Sequence, residues 1–451
     1  MQKKLLSLSF VLFCELHATQ EFTLDEMRKY LTPHNPYIYA GLGQKQVAKE
    51  QLNFEEGVYD TKLLARYDEK EYPDSTATYY TASLEKPTES GIDLTAGYRY
   101  AYGVQEYNNI KTGEDGEFIA GAKIPIIAVL NKIDERRVRV GLAKMDVEKR
   151  EYEFQESMRA FYFKLLSEYY LLLRNKSLFD ISEEMLKKVE KRRSFLESNV
   201  EKGNLPEIAL LEASQQVIQT QQSLRTQEAA YQNKLIELLT LLGLSKDRFL
   251  SLYHLPSLEL QEENLASLAE SLSTAEQNRA DFQIISTEVQ KLHLENKDNE
   301  RKKYPELNLG LYGVQDMNNE SGFKLSLDMS FPLARTQQRA KSAQIQERLK
   351  LIHNEKDMLL LELKRDLKNI INSTNAVEKN LKSAKEELIL LERLESAERR
   401  KYELGSSTLF LLNQREMLTM QAKRKLTDYT FEYQLLLESY KRIINTNSLN
   451  I

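Results

Sequence analysis

Alternating apolar and polar residues mark two pairs of short segments in this chain. The first pair covers residues 91–104 and 118–124, and the second covers 307–312 and 323–331. A period of two is typical of β-strands whose two faces meet different surroundings. A polar turn joins the members of each pair, so each pair predicts a β-hairpin.

A long stretch without glycine or proline follows each predicted hairpin. Residues 142–202 form the first, and the second extends from Pro332 to Gly405. The second stretch predicts a helix of about 70 residues, roughly 100 Å long at 1.5 Å per residue. Ordinary globular domains do not need helices of this length.

Apolar residues in the second long stretch repeat with the spacing of coiled coils. They are separated alternately by four and three residues, and the positions between them are mainly charged or polar. This heptad rhythm predicts a seam that packs against other helices while the rest of the surface is solvated. The seam positions are Val377, Leu381, Ala384, Leu388 and Leu391.

Helix signals fill much of the remaining chain. Thr23 followed by Glu26 fits a capping box, and Asn35-Pro36 begins a second helix. Residues 72–90 are rich in Ser, Thr, Tyr and Pro, and are expected to form an extended lead-in to the first hairpin. The other predicted helices cover 206–242, 274–303 and 406–445.

The two halves of the chain are tandem repeats. Three landmarks recur in the same order, at spacings that differ by only a few residues. Each half therefore consists of a helix, a strand, a turn, a strand, a long helix, a glycine turn and a return helix. The paired landmarks are 102–109 with 312–319, 124–126 with 331–333, and Gly203 with Gly405.

Composition agrees with long helices and argues against several functions. The 451 residues include only 16 Gly and 9 Pro, 29% are charged, and the net charge is -5. There is no basic patch with interleaved aromatics, so a nucleic-acid partner is not expected. The five histidines are scattered, and no phosphate-binding loop or nucleophile elbow is present. The sequence therefore predicts no enzyme and no catalytic, metal or cofactor site.

The N-terminus has the pattern of a secretory signal peptide. Lys3 and Lys4 precede an apolar core over 5–14, and a cleavage site follows at Ala18. The alternative is an N-terminal buried helix. Cys14 is the only cysteine, and cleavage would leave a mature chain without thiols. No later run reaches the ~18 apolar residues of a membrane helix, so entry into a membrane would require β-strands.

The four predicted strands have one apolar face and one polar face. Their length suits strands that cross a membrane, with one face toward lipid and one toward a lumen. Four strands cannot close a channel, so three protomers are expected to share a barrel of twelve strands. The alternative is a soluble sheet that covers a core. The predicted lumen-facing residues are Arg99, Lys123, Lys324 and Asp328.

An ordered set of motifs makes the chain resemble the TolC family of outer-membrane channel proteins. The resemblance covers essentially the whole mature chain, including its duplication. It implies a mainly α fold in which a trimeric helical tunnel joins a shared twelve-stranded antiparallel barrel. The motifs are Asn35-Pro36, Tyr-Pro-Glu-Leu at 304–307, Phe-Pro-Leu at 331–333 and Tyr-Glu-Leu-Gly at 402–405.

The resemblance also implies function, partners and location. It implies a homotrimer in the outer membrane of a Gram-negative bacterium, in contact with outer-membrane lipid and extending into the periplasm. Its partners would be a periplasmic adaptor (membrane fusion) protein and an inner-membrane RND, ABC or MFS transporter. The trimer would passively conduct drugs, proteins or ions outward. The rival function is a periplasm-spanning coiled-coil scaffold or adhesin without a transport lumen.

By the same resemblance, Gly203 and Gly405 mark the two periplasmic tips, where the closed tunnel narrows. Relatives carry an acidic ring formed by aspartates six and nine residues after the second glycine, but Leu411 and Gln414 stand at those positions here. A basic residue is expected two after that glycine, and this chain has Ser407. The candidate aperture residues are Tyr402, Leu411, Gln414, Glu207 and Glu212.

These features predict seven consecutive segments. They are a signal peptide (1–18), the N-terminal helices and lead-in (19–90), a first hairpin (91–127), the first long helix with its tip and return helix (128–243), a connector with the first helix of the second repeat (244–303), a second hairpin (304–333), and the second long helix with its tip, return helix and tail (334–451).

Overall fold

The computed structural model describes residues 20–73, 75–103, 112–131, 133–318, 320–331 and 333–445. The predicted signal peptide with Cys14, most of the first copy of the turn motif, and Pro332 lie outside these residues.

The described residues are mainly helical, as the sequence predicts. Two helices of 67 and 68 residues follow the two hairpins, and each is followed by a return helix of 36 residues. Thr23 caps the first helix by accepting a hydrogen bond from the Glu26 amide at 3.4 Å. The helices are α1 (Leu24–Arg28), α2 (Pro36–Glu56), α3 (Ile126–Asn131), α4 (Glu135–Glu201), α5 (Glu207–Leu242), α6 (Lys246–Leu252), α7 (Leu268–Asn278), α8 (Ala280–Arg301), α9 (Thr336–Glu403) and α10 (Leu409–Ile444).

The predicted helix over 274–303 is interrupted. Helix α7 begins earlier, at Leu268, and Arg279 has an extended backbone with φ -77° and ψ 131°. The Arg279 side chain donates to the Asp281 carboxylate at 3.1 Å, which satisfies the guanidinium where the chain leaves the helical conformation. A sequence without Gly or Pro therefore does not guarantee a continuous helix.

Within the described residues, six strands form one antiparallel sheet, two more than the sequence predicts. Their order is β2-β3-β4-β5-β7-β8. The four expected strands are confirmed as β4, β5, β7 and β8, whereas the expected lead-in over 72–90 is wrong because most of it belongs to a strand. The strands are β1 (Gln20–Glu21), β2 (Lys62–Tyr72), β3 (Ser75–Pro87), β4 (Asp93–Gly103), β5 (Glu117–Pro125), β6 (Tyr253–His254), β7 (Glu306–Asp316) and β8 (Ser321–Ser330).

The composition of β2 and β3 explains why the sequence pattern does not predict this additional hairpin. Four consecutive charged residues over 68–71 interrupt the apolar–polar alternation of β2. Pro73 follows directly after the strand and indicates a turn or loop. Strand β3 is rich in Thr and Tyr, which pack well on a pleated surface even though they are common in loops. The two strands pair residue by residue, from Lys62 opposite Glu85 to Tyr72 opposite Ser75.

The described chain forms two compact units. One comprises residues 20–39, 158–278 and 363–445, and the other comprises 40–157 and 279–362.

An aromatic cluster anchors the N-terminal segment within the first unit. Phe22 is fully buried, and its ring lies 4.9 Å from that of Phe249 and 5.1 Å from that of Tyr253. Tyr169 of α4 donates a hydrogen bond to the Phe22 carbonyl at 2.9 Å. Burial of several aromatic rings stabilises the otherwise short elements β1 and α1.

Part of the predicted heptad seam of α9 is confirmed in the same unit. Val377 and Leu381 are buried against Tyr433 and Leu437 of the return helix α10. Ala384 is also buried, at 2% exposed, whereas the last two seam positions, Leu388 and Leu391, are half-buried. The seam therefore joins the long helix to its own return helix.

Candidate functional site

The register of the sheet assigns every strand residue to one of two faces. Residues directly opposite each other in antiparallel strands project to the same side. One row across all six strands is Leu63, Leu84, Ala96, Ala120, Gly313 and Phe323.

The face that contains Leu63 and Phe323 is apolar and exposed. Phe323 is 85% exposed and Leu63 72% exposed, although both are large apolar side chains. Lys86 lies on this face at the end near α3, whereas Glu69 and Glu71 lie on it near the 72–75 turn. The exposed apolar side chains between them are Leu63, Tyr67, Tyr80, Leu84, Leu94, Tyr102, Phe118, Leu311, Phe323, Leu325, Leu327 and Met329.

The four predicted lumen-facing residues share the opposite face. Arg99 is paired with Glu117, and Lys123 is opposite Asp93. Lys324 is opposite Tyr312, with its ammonium 5.8 Å from the ring centroid. Asp328 lies opposite Asn308 on the same side. The Arg99 and Glu117 side chains form an ion pair, and only 11% and 10% of them are exposed.

A charged cluster fixes the junction between the sheet and α4. The Arg136 guanidinium donates to Asp93 at 2.5 Å, to Asp134 at 2.9 Å and to the Gly91 carbonyl at 3.0 Å. Burial acts to lower the pKa of Arg136, but hydrogen bonds to the two carboxylates raise it above its ordinary value. Gly91 has φ +89°, and a Cβ there would lie 3.1 Å from the Asp134 carboxylate. Only glycine suits this position.

The two glycine turns have identical hydrogen bonds, as a duplicated module requires. The Gly203 amide donates to the Val200 carbonyl at 2.9 Å, and the amide of Asn204 donates to Asn199 at 2.8 Å. The second turn repeats both bonds, from Gly405 to Tyr402 at 3.0 Å and from Ser406 to Lys401 at 2.8 Å. Both glycines are left-handed, with φ +75° and +74°. Each turn is a Schellman motif that ends a long helix.

The candidate aperture residues surround these turns but differ in environment. Tyr402 packs against a buried cluster of Leu196, Ala213 and Leu409, and burial raises its pKa. The other four candidates are exposed. These are Leu411, Gln414, Glu207 and Glu212.

Ser407 has a different role from the basic residue expected at its position. Its hydroxyl donates a hydrogen bond to the Glu398 carboxylate, which links the second tip turn to the last turns of α9.

A charge network around the buried carboxylate of Glu416 lies in the helices that lead to the tips, and sequence patterns do not predict it. Arg192 of α4 donates to Asn413 and Glu416 of α10. Arg399 of α9 contacts the same Glu416 at 3.2 Å and Glu395 at 2.7 Å. Glu416 is 3% exposed. The partners lie far apart in the sequence, so only the i,i+4 pair of Glu395 and Arg399 carries a local signal.

Two negative findings apply to the described residues. No helix there has both the length and the apolar character of a membrane span. No cluster of three or more His, Cys, Asp or Glu residues in those ranges is arranged to hold a metal ion.

The fold is similar to that of solved outer-membrane proteins. A membrane protein from Pseudomonas aeruginosa matches with a TM-score of 0.71 and 11% identity, over 94% of this chain and 91% of its own. The outer-membrane channel OprN matches with a TM-score of 0.69 and 11% identity, over 93% and 89%. The outer membrane protein VceC from Vibrio cholerae matches with a TM-score of 0.67 and 13% identity, over 93% and 95%. No protein-family model and no curated protein matches the chain.

These matches cover nearly the whole of each chain, so they establish that this protein has the fold of outer-membrane channel proteins. The resemblance to the TolC family is confirmed at the level of fold.

Proposed function

We propose that this protein is the outer-membrane exit duct of a tripartite efflux or type I secretion system in a Gram-negative bacterium. It passively conducts substrates to the exterior from a periplasmic adaptor protein and an inner-membrane RND, ABC or MFS transporter. The protein itself is not an enzyme, and the energy for transport comes from the pump.

The main support for this proposal comes from the two faces of the sheet. Its exposed apolar face suits contact with lipid. Its opposite face carries the exposed side chains of Lys123, Lys324 and Asp328, together with Arg99, which is paired with Glu117. A soluble protein rarely exposes a contiguous apolar surface of this extent. Alternation of an apolar outer face and a polar inner face is typical of the strands of membrane barrels.

The edges of the sheet support assembly of several copies, which we propose to be a trimer. Strands β2 and β8 are the two edges, and each presents unpaired backbone groups. Unpaired N–H and C=O groups are too costly to leave in lipid, so copies of the chain must join at these edges. Three protomers around one axis would close a shared barrel. In this arrangement α4, α5, α9 and α10 line a periplasmic tunnel.

The tips are proposed to form the entrance of the tunnel. Leu411 and Gln414 replace an acidic ring, so the entrance is expected to bind cations weakly. Glu207 and Glu212 are the remaining acidic candidates near it. The network around Glu416 would hold α10 against α4 and α9 when the entrance is closed.

Conductance in planar lipid bilayers tests the proposal. The purified full chain should insert and give small, long-lived current steps, and Leu411→Ala with Gln414→Ala should enlarge them by opening the entrance. A failure of both proteins to conduct would contradict a duct.

Fractionation separates the duct from a periplasm-spanning scaffold. The protein should remain with outer-membrane vesicles during a carbonate wash and should migrate on gels as a heat-modifiable oligomer. Release by carbonate would instead favour a scaffold or adhesin without a lumen.

A further inference from the structure

The unexpected hairpin of β2 and β3 has a specific place in the sheet. Strand β3 pairs with β4 along its whole length, from Ala77 opposite Gly103 to Pro87 opposite Asp93. The side of β4 that faces away from β5 is therefore occupied. A neighbouring copy cannot pair with β4 unless this hairpin is first removed.

We propose that the β2–β3 hairpin is part of the membrane wall, so that each chain contributes six strands and its β2 edge pairs with the β8 edge of the next copy. This inference rests on the proposed channel function and changes the size of its barrel. Three copies of six strands give eighteen, in place of the twelve expected from four strands per chain. Barrels of about 16–18 strands enclose an aqueous channel.

The direction of the strands permits this closure. All neighbouring strands in the sheet are antiparallel, and their number is even. Strands β2 and β8 therefore run in opposite directions. A β8 edge that meets the β2 edge of a second copy continues the antiparallel pattern without interruption.

The apolar face continues onto the hairpin. Leu63 and Tyr67 of β2 are 72% and 62% exposed, and Leu84 of β3 is 52% exposed. These positions lie on the same side as Leu325 and Leu327 of β8. A hairpin that projected into water would not need apolar side chains on the side that faces lipid in the other four strands.

The exposed apolar side chains form a band across the sheet, and the position of this band shifts from strand to strand. Such a shift is expected for strands that are tilted in a membrane. On β8 the band runs from Phe323 to Met329, and Phe323 is its member nearest the 316–321 turn. On β2 the band runs from Leu63 to Tyr67, and Leu63 is its member farthest from the 72–75 turn. Leu63 and Phe323 nevertheless share one row of the sheet. The band thus crosses the rows diagonally, as a horizontal lipid layer crosses the strands of a barrel.

Tryptophan fluorescence tests the position of the hairpin. The chain contains no Trp, so each variant has a single reporter. The full-length variants Leu63→Trp and Leu84→Trp are reconstituted in phosphatidylcholine vesicles with or without brominated acyl chains. Leu325→Trp reports on β8, and the matched controls Leu64→Trp and Ser83→Trp place the reporter on the opposite face.

Bromine should quench Leu63→Trp and Leu84→Trp by about the same fraction as Leu325→Trp, and should quench the matched controls much less. Quenching of Leu325→Trp without quenching of the two hairpin reporters would overturn the six-strand wall and leave the channel intact. Absence of quenching at Leu325→Trp as well would overturn both the wall and the channel.

Cysteine pairs provide an independent measurement of the same junction. The only natural cysteine is Cys14, in the predicted signal peptide. Arg66→Cys combined with Ser326→Cys should give oxidant-dependent covalent oligomers, because β2 meets β8 of the next copy. Thr95→Cys combined with Ser326→Cys should not, because β3 covers β4. Cross-linking of the β4 pair in place of the β2 pair would overturn the proposal.

Discussion

Arg192 of α4 and Glu416 of α10 form an ion pair that is almost completely withdrawn from water. Only 10% of the arginine side chain and 3% of the glutamate side chain are exposed. Arg399 of α9 contacts the second oxygen of the same carboxylate at 3.2 Å. One glutamate therefore joins three helices near the tips.

Replacement of Glu416 should destabilise the protein strongly. Glu416→Ala leaves Arg192 buried without its carboxylate, and loss of one partner of a buried pair typically costs about 3–5 kcal/mol. Thermal or denaturant unfolding followed by helical circular dichroism measures the change. Glu183→Ala is the control, because its partner Lys187 is 70% exposed and such surface pairs contribute about 0–1 kcal/mol. Equal losses in the two variants would contradict a structural role for the buried network.

The two tip glycines should respond alike to substitution. Nothing lies within 4 Å of an added Cβ at Gly203 or Gly405, so the left-handed backbone alone determines the effect. Gly203→Ala and Gly405→Ala should each lower the free energy of unfolding by about 1–2 kcal/mol. Gly43→Ala is the matched control, since its Cβ also meets nothing and the residue lies within α2. Alanine there should stabilise by about 0.5–1 kcal/mol. Opposite signs at the two tips would contradict the equivalence of the turns.

Cross-linking locates the aperture. If the tips of neighbouring protomers converge, Gln414→Cys should form disulfide-linked oligomers in mild oxidant. Asn413→Cys is the control, because residue 413 faces Arg192 within its own chain. The same experiment at Leu411, Glu207 and Glu212 shows which side chains are nearest to the axis. If none of these four positions cross-links, the tip assignment is wrong.

Acid should weaken the contact between α4 and α10 at Glu184. Burial acts to raise the pKa of Glu184, but hydrogen bonds from Lys188 and Lys423 outweigh it and hold the pKa below its ordinary value of 4.5. Because the folded-state pKa is lowered, the stabilisation is fully present above pH 4.5 and is lost as the pH falls through the folded value. Glu184→Gln should therefore lower the melting temperature at neutral pH and flatten its decline in acid. An unchanged pH profile would show that the contact contributes nothing.

Sequence patterns predicted the parts of the fold that depend on local chemistry. Gly203 and Gly405 end the long helices because glycine enters the left-handed conformation easily, and the structure repeats the same turn at both. The seam at Val377 and Leu381 was predicted because period and burial coincide along one helix. Each of these features can be predicted from residues that lie close together in the sequence.

The missed features depend on distant partners. The charges over 68–71 conceal β2, and only its pairing with β3 and that of β3 with β4 shows that this segment belongs to the sheet. Arg192 and Glu416 look like ordinary surface residues until three helices come together around them. Leu411 and Gln414 are aperture candidates through the family resemblance alone, and their role stays a prediction.

The order of strands in the sheet has a kinetic consequence. Strand β5 pairs with β7, which lies far from it in the sequence. Glu117 is therefore opposite Asp316 only after the long intervening segment has been synthesised. The hairpin of β4 with β5 is made early during synthesis, yet the outer edge of β5 has no partner until β7 leaves the ribosome. Closing so long a loop is slow compared with forming helices and local hairpins. Completion of the sheet should therefore be a late step of folding, after the first long helix has formed.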